Sequence, residues 1–228
     1  MNAKPIDAYE YVGVIAPGAV VAIGLLLQWP SLVSTFTSKE LSLGALGVFL
    51  ICAFVLGHLV QAVGNLVEMV VYAPFGGMPT ERALRGTSSL ISENQRTRVL
   101  EKVFGAGPTA DAVAQTKRWS SIVREIYAEI AAAGHATRID AFNRNYGLLR
   151  GIAASLALLL GWALATHWGD WRIAGAVIAL LLMALYRMNR FANCYARELL
   201  VEYARAPAQA SNNALTVDPA CPPNPVEN

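Results

Sequence analysis

The sequence predicts an all-α polytopic membrane protein, with four transmembrane helices and a helical cytoplasmic layer between spans two and three. Two observations lead to this prediction. The chain of 228 residues is 55% hydrophobic and only 15% charged, whereas soluble domains carry about 25% charged residues. Four long runs also carry no charge at all: residues 11–38, 41–67, 151–169 and 173–186. Since a charge at the centre of a bilayer costs about 2.5–3.5 kcal/mol, runs of this kind are typical of spanning helices.

The first transmembrane hairpin is predicted within residues 1–72. Its two spans cover about residues 11–28 and 43–63, and the second helix is expected to continue to about residue 72. A helix needs about 20 apolar residues to cross the hydrocarbon layer. Span one is expected to be kinked at Pro17, because proline cannot donate a helical hydrogen bond.

Residues 73–147 are predicted to form the cytoplasmic helical region. We expect helices over about 89–104 and 109–133, and a third helix that begins near residue 136 and runs into span three. Apolar side chains recur at helical spacing in the second of these helices; they are Trp119, Ile122, Val123, Ile126, Tyr127 and Ile130. This apolar face is expected to pack on the base of the bundle or against a second copy.

The second transmembrane hairpin is predicted within residues 148–205. Its spans cover about residues 148–166 and 171–188, and the last helix is expected to continue as a cytoplasmic extension to about residue 205. The remaining residues, 206–228, are small, polar and rich in proline, so a disordered tail is expected there.

The distribution of Lys and Arg predicts the orientation in the membrane. Sixteen of the eighteen basic residues fall on the side that holds both termini and the middle loop, and only Lys39 and Arg172 fall on the other side. Cytoplasmic loops carry an excess of Lys and Arg. We therefore expect a multi-pass protein of the bacterial inner or plasma membrane with both termini cytoplasmic.

A polar stripe in span two is the best candidate site. His58, Gln61, Asn65 and Glu68 fit within about 80° of one helix face, and polar residues aligned in this way rarely face lipid. Two interpretations stay open. The stripe is either a hydrogen-bonded seam that ties span two to other spans or to a symmetry mate, or the lining of an inward-facing vestibule or pore.

Span three carries small residues four positions apart: Ala153, Ala157, Gly161 and Ala165. Small residues at this spacing let two helices approach closely. The alternative interpretation is an alanine-rich hydrophobic composition without a packing role.

The sequence lacks the motifs of catalysis and cofactor binding, such as H-E-x-x-H, G-x-S-x-G and G-x-G-x-x-G. Its three histidines fall in three different layers of the predicted topology, and its three cysteines lack a C-x-x-C spacing. We therefore expect no metal and no cofactor. A net charge of +2 does not favour nucleic acid as a partner.

Three function classes stay open. The first is a non-enzymatic oligomeric scaffold or partner-binding membrane protein. The second is a gated channel-like or membrane-perturbing effector, of the kind used in bacterial stress responses or antiviral defence, with the polar stripe lining an inner vestibule. The third is an intramembrane enzyme, which the missing motifs disfavour. The expected partners are the lipid bilayer and further copies of the chain, and a cytoplasmic protein or a small-molecule ligand is left open.

Overall fold

A computed structural model describes residues 8–28, 42–105, 119–165 and 171–206 of the chain. These ranges contain seven α-helices and one 3₁₀ turn, Ala73–Phe75, and no strand. The all-α prediction is therefore confirmed for this part of the chain. The helices are α1 (Ala8–Gln28), α2 (Ser42–Tyr72), α3 (Pro79–Arg85), α4 (Glu93–Phe104), α5 (Trp119–Ala132), α6 (Thr137–Ala165) and α7 (Trp171–Arg205).

Three candidate membrane-spanning helices are present in the described ranges. They lie in Gly44–Arg85, which includes nearly all of α2, and in α6 and α7, and all three are long and apolar enough to cross a bilayer. Their length and composition indicate a membrane protein. The first predicted span corresponds to α1, whose apolar part, Tyr11–Leu27, is shorter than these three. The count of four spans therefore stays a prediction.

Helix α1 packs between α2 and α6, and backbone contact with α2 is possible because both helices carry glycine there. A Cβ atom on Gly18 would overlap the carbonyl oxygen of Ala53, and one on Gly57 would overlap the carbonyl oxygen of Val14. These pairs show that α1 and α2 run antiparallel. Inside a membrane the hydrophobic effect does not drive helices together. Close packing of this kind is what stabilises their association instead.

Helix α7 continues well beyond its apolar run, and its last turns form the centre of a second core. We call this region the cap; it consists of α3, α4, α5 and residues 195–205 of α7. Its buried side chains include Leu84, Val99, Trp119, Ile126, Ile130, Leu199 and Leu200. Of the predicted apolar face of residues 109–133, the structure describes the part from Trp119 onward. Trp119, Ile126 and Ile130 are buried in this core, and the other three residues of the face are partly buried against it.

Helix α4 begins at Glu93, a few residues after the predicted start. The hydroxyl of Ser92 accepts a hydrogen bond from the backbone of Gln95, and the side chain of Gln95 accepts one from the backbone of Ser92. This reciprocal capping box satisfies amide groups that would otherwise lack partners, so the helix begins there. Most of the predicted tail, residues 207–228, lies outside the described residues.

Candidate functional site

The site begins at the proline of α1. Because Pro17 has no N–H group, the carbonyl oxygen of Gly13 loses its helical donor. The side-chain amide of Gln61, on α2, donates a hydrogen bond to this oxygen at 3.0 Å. One turn further along, the buried hydroxyl of Ser155, on α6, lies 2.8 Å from the carbonyl oxygen of Pro17. Gln61 thus replaces the donor that the proline removes, and Ser155 adds a second polar contact to the backbone of α1.

Glu68 is the second centre of the site. Its Oε2 atom accepts a hydrogen bond from the Tyr146 hydroxyl at 2.6 Å and one from the Arg150 guanidinium at 2.8 Å. The same guanidinium donates to the Oε1 atom of Gln61 at 3.4 Å. A continuous hydrogen-bonded network therefore links the backbone of α1 to side chains of α2 and α6. We call it the polar network, and it consists of Gly13, Gln61, Glu68, Tyr146 and Arg150.

The two charges of the polar network lie at the same level of the bundle. The charge-free run of α2 ends just before Glu68, and that of α6 begins just after Arg150. Because α2 and α6 run antiparallel, the two side chains meet at one boundary of the apolar region. Their side chains are 25% and 23% exposed. A charge at this depth is tolerated when it is paired and hydrogen-bonded, as both are here.

Two buried polar atoms beside the network have no hydrogen-bond partner in the described part of the chain. They are the Nε atom of Arg150 and the hydroxyl oxygen of Tyr72. Tyr72 packs with Tyr146 and Met188 in a small apolar cluster. Tyr146 therefore belongs both to this cluster and to the polar network.

The structure divides the predicted polar stripe of α2 into two pairs. Gln61 and Glu68 are partly buried and belong to the polar network. His58 and Asn65 lie on the exposed surface of the described bundle, and the His58 ring contacts Phe54 edge-on at a centroid distance of 4.7 Å. The division arises because the border between the packed and exposed faces of α2 passes through the 80° sector that holds all four residues.

The small-residue stripe of α6 is also divided. Ala153 is fully buried, Ala157 is partly buried, and Gly161 and Ala165 are exposed. A Cβ atom on Gly161 would meet nothing within 4 Å. The close approach on α6 occurs instead at Gly151, where an added Cβ would lie 2.6 Å from the ring of Pro17.

Sequence reasoning overlooked Arg150, Tyr146 and Ser155 as members of the site. It assigned Arg150 to the positive charges of the cytoplasmic side. A signal was nevertheless available: Glu68 is the first charge after one apolar run and Arg150 is the last charge before another. Opposite charges at equal depth on antiparallel spans are candidates for an ion pair.

The polar network is suited to holding three helices together. Its carboxylate, phenol, guanidinium and amide are bonded to one another, which favours the seam interpretation for Gln61 and Glu68. Among the described residues, no group of three or more His, Cys, Asp or Glu side chains could hold a metal ion. Comparison with protein-family models, curated proteins and solved structures finds no match to the chain.

Proposed function

We propose that this membrane protein acts without catalysing a reaction, as an oligomeric scaffold or partner-binding protein, and that it assembles through the exposed face of α2. The observation that supports this proposal is the exposure of His58 and Asn65 on an apolar helix. His58 lies about 15 Å along α2 from Glu68, deep within the apolar region. Lipid chains offer no hydrogen-bond partner to either side chain, whereas another protein helix does.

The spacing on this face matches that of a helix pair. Ile51, His58 and Asn65 are seven residues apart, and Ala62 and Met69 form a second row with the same interval. Ile51 and Met69 are each 66% exposed. A seven-residue repeat keeps one face of a helix against a partner over several turns. In a two-fold dimer, each Asn65 amide would meet the same amide of the partner, which supplies both a donor and an acceptor.

The test replaces the polar pair and measures self-association. The variant His58→Leu/Asn65→Leu should weaken dimerisation of the full chain in lipid vesicles, measured by energy transfer between labelled copies on dilution with lipid. Each lost interhelical hydrogen bond contributes about 0.6–2 kcal/mol, so a loss of roughly threefold to thirtyfold per residue is expected. Leu59→Ala is the matched control, because Leu59 is 63% exposed but points about 100° away from His58.

Two results would contradict this proposal. One is a wild-type chain that stays monomeric at every lipid dilution. The other is equal association of the wild type, the double variant and the control, since the polar face would then contribute nothing to assembly.

The second candidate is the gated channel-like or membrane-perturbing effector. It is favoured by the same exposed pair, because a ring of more than two copies with this face turned inward would line a central path with His58 and Asn65. Release of a dye from vesicles distinguishes the two candidates. A channel-forming chain should release the dye, and His58→Leu/Asn65→Leu should abolish release, whereas a scaffold should release none.

A further inference from the structure

A groove lies on α7 at the point where this helix leaves its apolar run. The charge-free run ends at Tyr186. The groove has a volume of about 270 Å³, and its lining includes Tyr186, Asn189, Arg190, Asn193 and Arg197 of α7 together with Leu90, from the segment between α3 and α4. These α7 positions recur every three or four residues, so they share one face of the helix.

The groove is positively charged and its charge is only weakly neutralised. No acidic side chain lines it. Arg190 forms no ion pair with the described part of the chain. Arg197 lies 3.8 Å from the carboxylate of Glu198, but that carboxylate is closer to Arg138, at 3.1 Å. The side-chain amides of Asn189 and Asn193 add neutral hydrogen-bond donors. Two guanidinium groups with amide donors beside them fit the oxygens of a phosphate group.

The position of the groove identifies the source of the phosphate. Arg190 lies four residues, or about 6 Å, beyond the end of the apolar run. Headgroup layers extend about 5–7 Å beyond the hydrocarbon on each side, so Arg190 reaches the level of lipid phosphates. Side chains on a helix lean toward its N-terminus, and on α7 that direction leads back to the apolar run. Arg197 lies about 16 Å beyond the end of the run, and its side chain leans back toward Arg190, with which it lines the same groove.

We propose that this groove binds the phosphate of an anionic phospholipid headgroup. The apolar surface next to it suits the acyl chains of the same lipid, since Leu182 and Met183 are 62% and 63% exposed. Tyr186, at the border of the two regions, is the kind of amphipathic ring that occupies the membrane interface. A zwitterionic lipid offers the same phosphate but adds a cationic group, which the two arginines repel.

The test measures lipid binding to the full chain by native mass spectrometry. The detergent-solubilised protein is titrated with phosphatidylglycerol and, separately, with phosphatidylcholine. Phosphatidylglycerol should bind more tightly. Arg190→Gln and Arg197→Gln should each weaken its binding about fivefold, because a basic residue near an anionic surface contributes about 1 kcal/mol. Arg190→Lys should retain most of the binding because the charge is kept.

The matched control is Arg187→Gln. Arg187 lies near the same level on α7, but it sits over the ring of Phe191 and does not line the groove. Its replacement should change the binding of phosphatidylglycerol by less than twofold. An equal loss for Arg187→Gln, Arg190→Gln and Arg197→Gln would mean diffuse attraction to the surface and would overturn the proposal.

Soluble anions separate a lipid headgroup from a free phosphate. Inorganic phosphate and glycerol phosphate should leave the melting temperature of the detergent-solubilised chain unchanged, whereas phosphatidylglycerol should raise it. If the soluble anions raise it as much as the lipid does, the groove binds a soluble phosphate and the lipid assignment is wrong. The melting temperature in phosphatidylcholine, which should be the same for all variants, verifies that each variant is folded.

Discussion

Arg150 donates hydrogen bonds to two side chains of α2, the carboxylate of Glu68 and the amide oxygen of Gln61. On one side it neutralises Glu68, and on the other it supports Gln61, whose amide replaces the hydrogen bond that Pro17 cannot make. Gln61 suits this place because it can donate and accept at once. A lysine could not bond Glu68 and Gln61 through the same fixed planar geometry. The sequence shows the two charges but not their pairing, because pairing depends on which spans are neighbours.

Removing Arg150 should be costly unless its partner is neutralised as well. Arg150→Met leaves a carboxylate in an apolar setting, so the free energy of unfolding in mixed micelles should fall by about 3 kcal/mol, the lower end of the range for a broken buried pair. The double variant Glu68→Gln/Arg150→Met should recover part of this loss. Arg124→Met, at an exposed position of α5, is the control. Additive effects of the two replacements would contradict the ion pair.

Tyr127 should make the stability of the cap sensitive to alkaline pH. Its hydroxyl donates to the carboxylate of Asp140 at 2.6 Å, and this hydrogen bond raises the pKa of Tyr127 to about 12. The unfolded pKa is about 10, so the contribution is complete below pH 10 and is lost as pH rises from about 10 through 12. Thermal melting followed by circular dichroism should show Tyr127→Phe to be less stable by about 1 kcal/mol at pH 8.

The stabilities of the wild type and of Tyr127→Phe should also be compared above pH 10. The wild type should lose stability more steeply than Tyr127→Phe, and the two curves should converge near pH 12. Tyr186→Phe, at a position that is 67% exposed, should follow the wild-type curve. Parallel curves for wild type and Tyr127→Phe would show that the phenol does not titrate in this way.

At the level of helices, the sequence predicts extents better than contacts. The bounds of α2 and α7 agree with the predicted helices because apolar residues at helical spacing continue beyond the charge-free runs, to Tyr72 and to Arg205. The packing faces were harder to predict. Glycine and alanine occur throughout the spans, and only their position against a neighbour decides which of them matter. Gly57 contacts the backbone of α1, whereas Gly161 contacts nothing within 4 Å of an added Cβ.

Within the cap, α4 makes a polar contact with the end of α7 in addition to the shared apolar core. The Lys102 ammonium, on α4, donates to the carbonyl oxygen of Tyr203 at 2.6 Å and also to that of Ala206. A cation at this end complements the helix dipole and satisfies carbonyl groups that lack helical donors. Burial lowers the pKa of Lys102, which is the cost of placing the ammonium there. Apolar periodicity predicts the helices of the cap but not this pairing, which joins residues about a hundred positions apart.

Replacing a glycine of α2 with alanine should destabilise the chain where a neighbouring helix is in contact and stabilise it where none is. Gly57→Ala would place a methyl group on the Val14 carbonyl oxygen and force α1 away, so a loss of about 2 kcal/mol or more is expected. Gly47→Ala, on the same helix, meets nothing within 4 Å and should stabilise the chain slightly through helix propensity. Unfolding in mixed micelles measures both. Equal effects at the two positions would exclude the close contact of α1 with α2.

At the scale of the whole molecule, polarity is distributed unevenly along the bundle. The ion pair of Glu68 and Arg150, the basic groove of α7 and the cap all lie where α2 ends and where α7 leaves its apolar run. From this end to the opposite end of the bundle, the apolar runs of α2, α6 and α7 carry no charge. One end of the molecule therefore carries the charged groups that suit lipid headgroups and water, and from this asymmetry we expect a single orientation in the membrane.

Reporter fusions test that orientation directly. Sixteen basic residues on one side against Lys39 and Arg172 on the other should hold the cap in the cytoplasm, since translocating many basic residues is unfavourable. Reporters at Thr37 and Gly169 should score outside, and reporters at Gly107 and Asn212 should score inside. Adding three lysines beside Thr37 serves as the control, because it should reduce the outside score at that position. An outside score at Gly107 would place the cap, and with it the groove that we propose to bind lipid phosphates, on the side opposite to the predicted one.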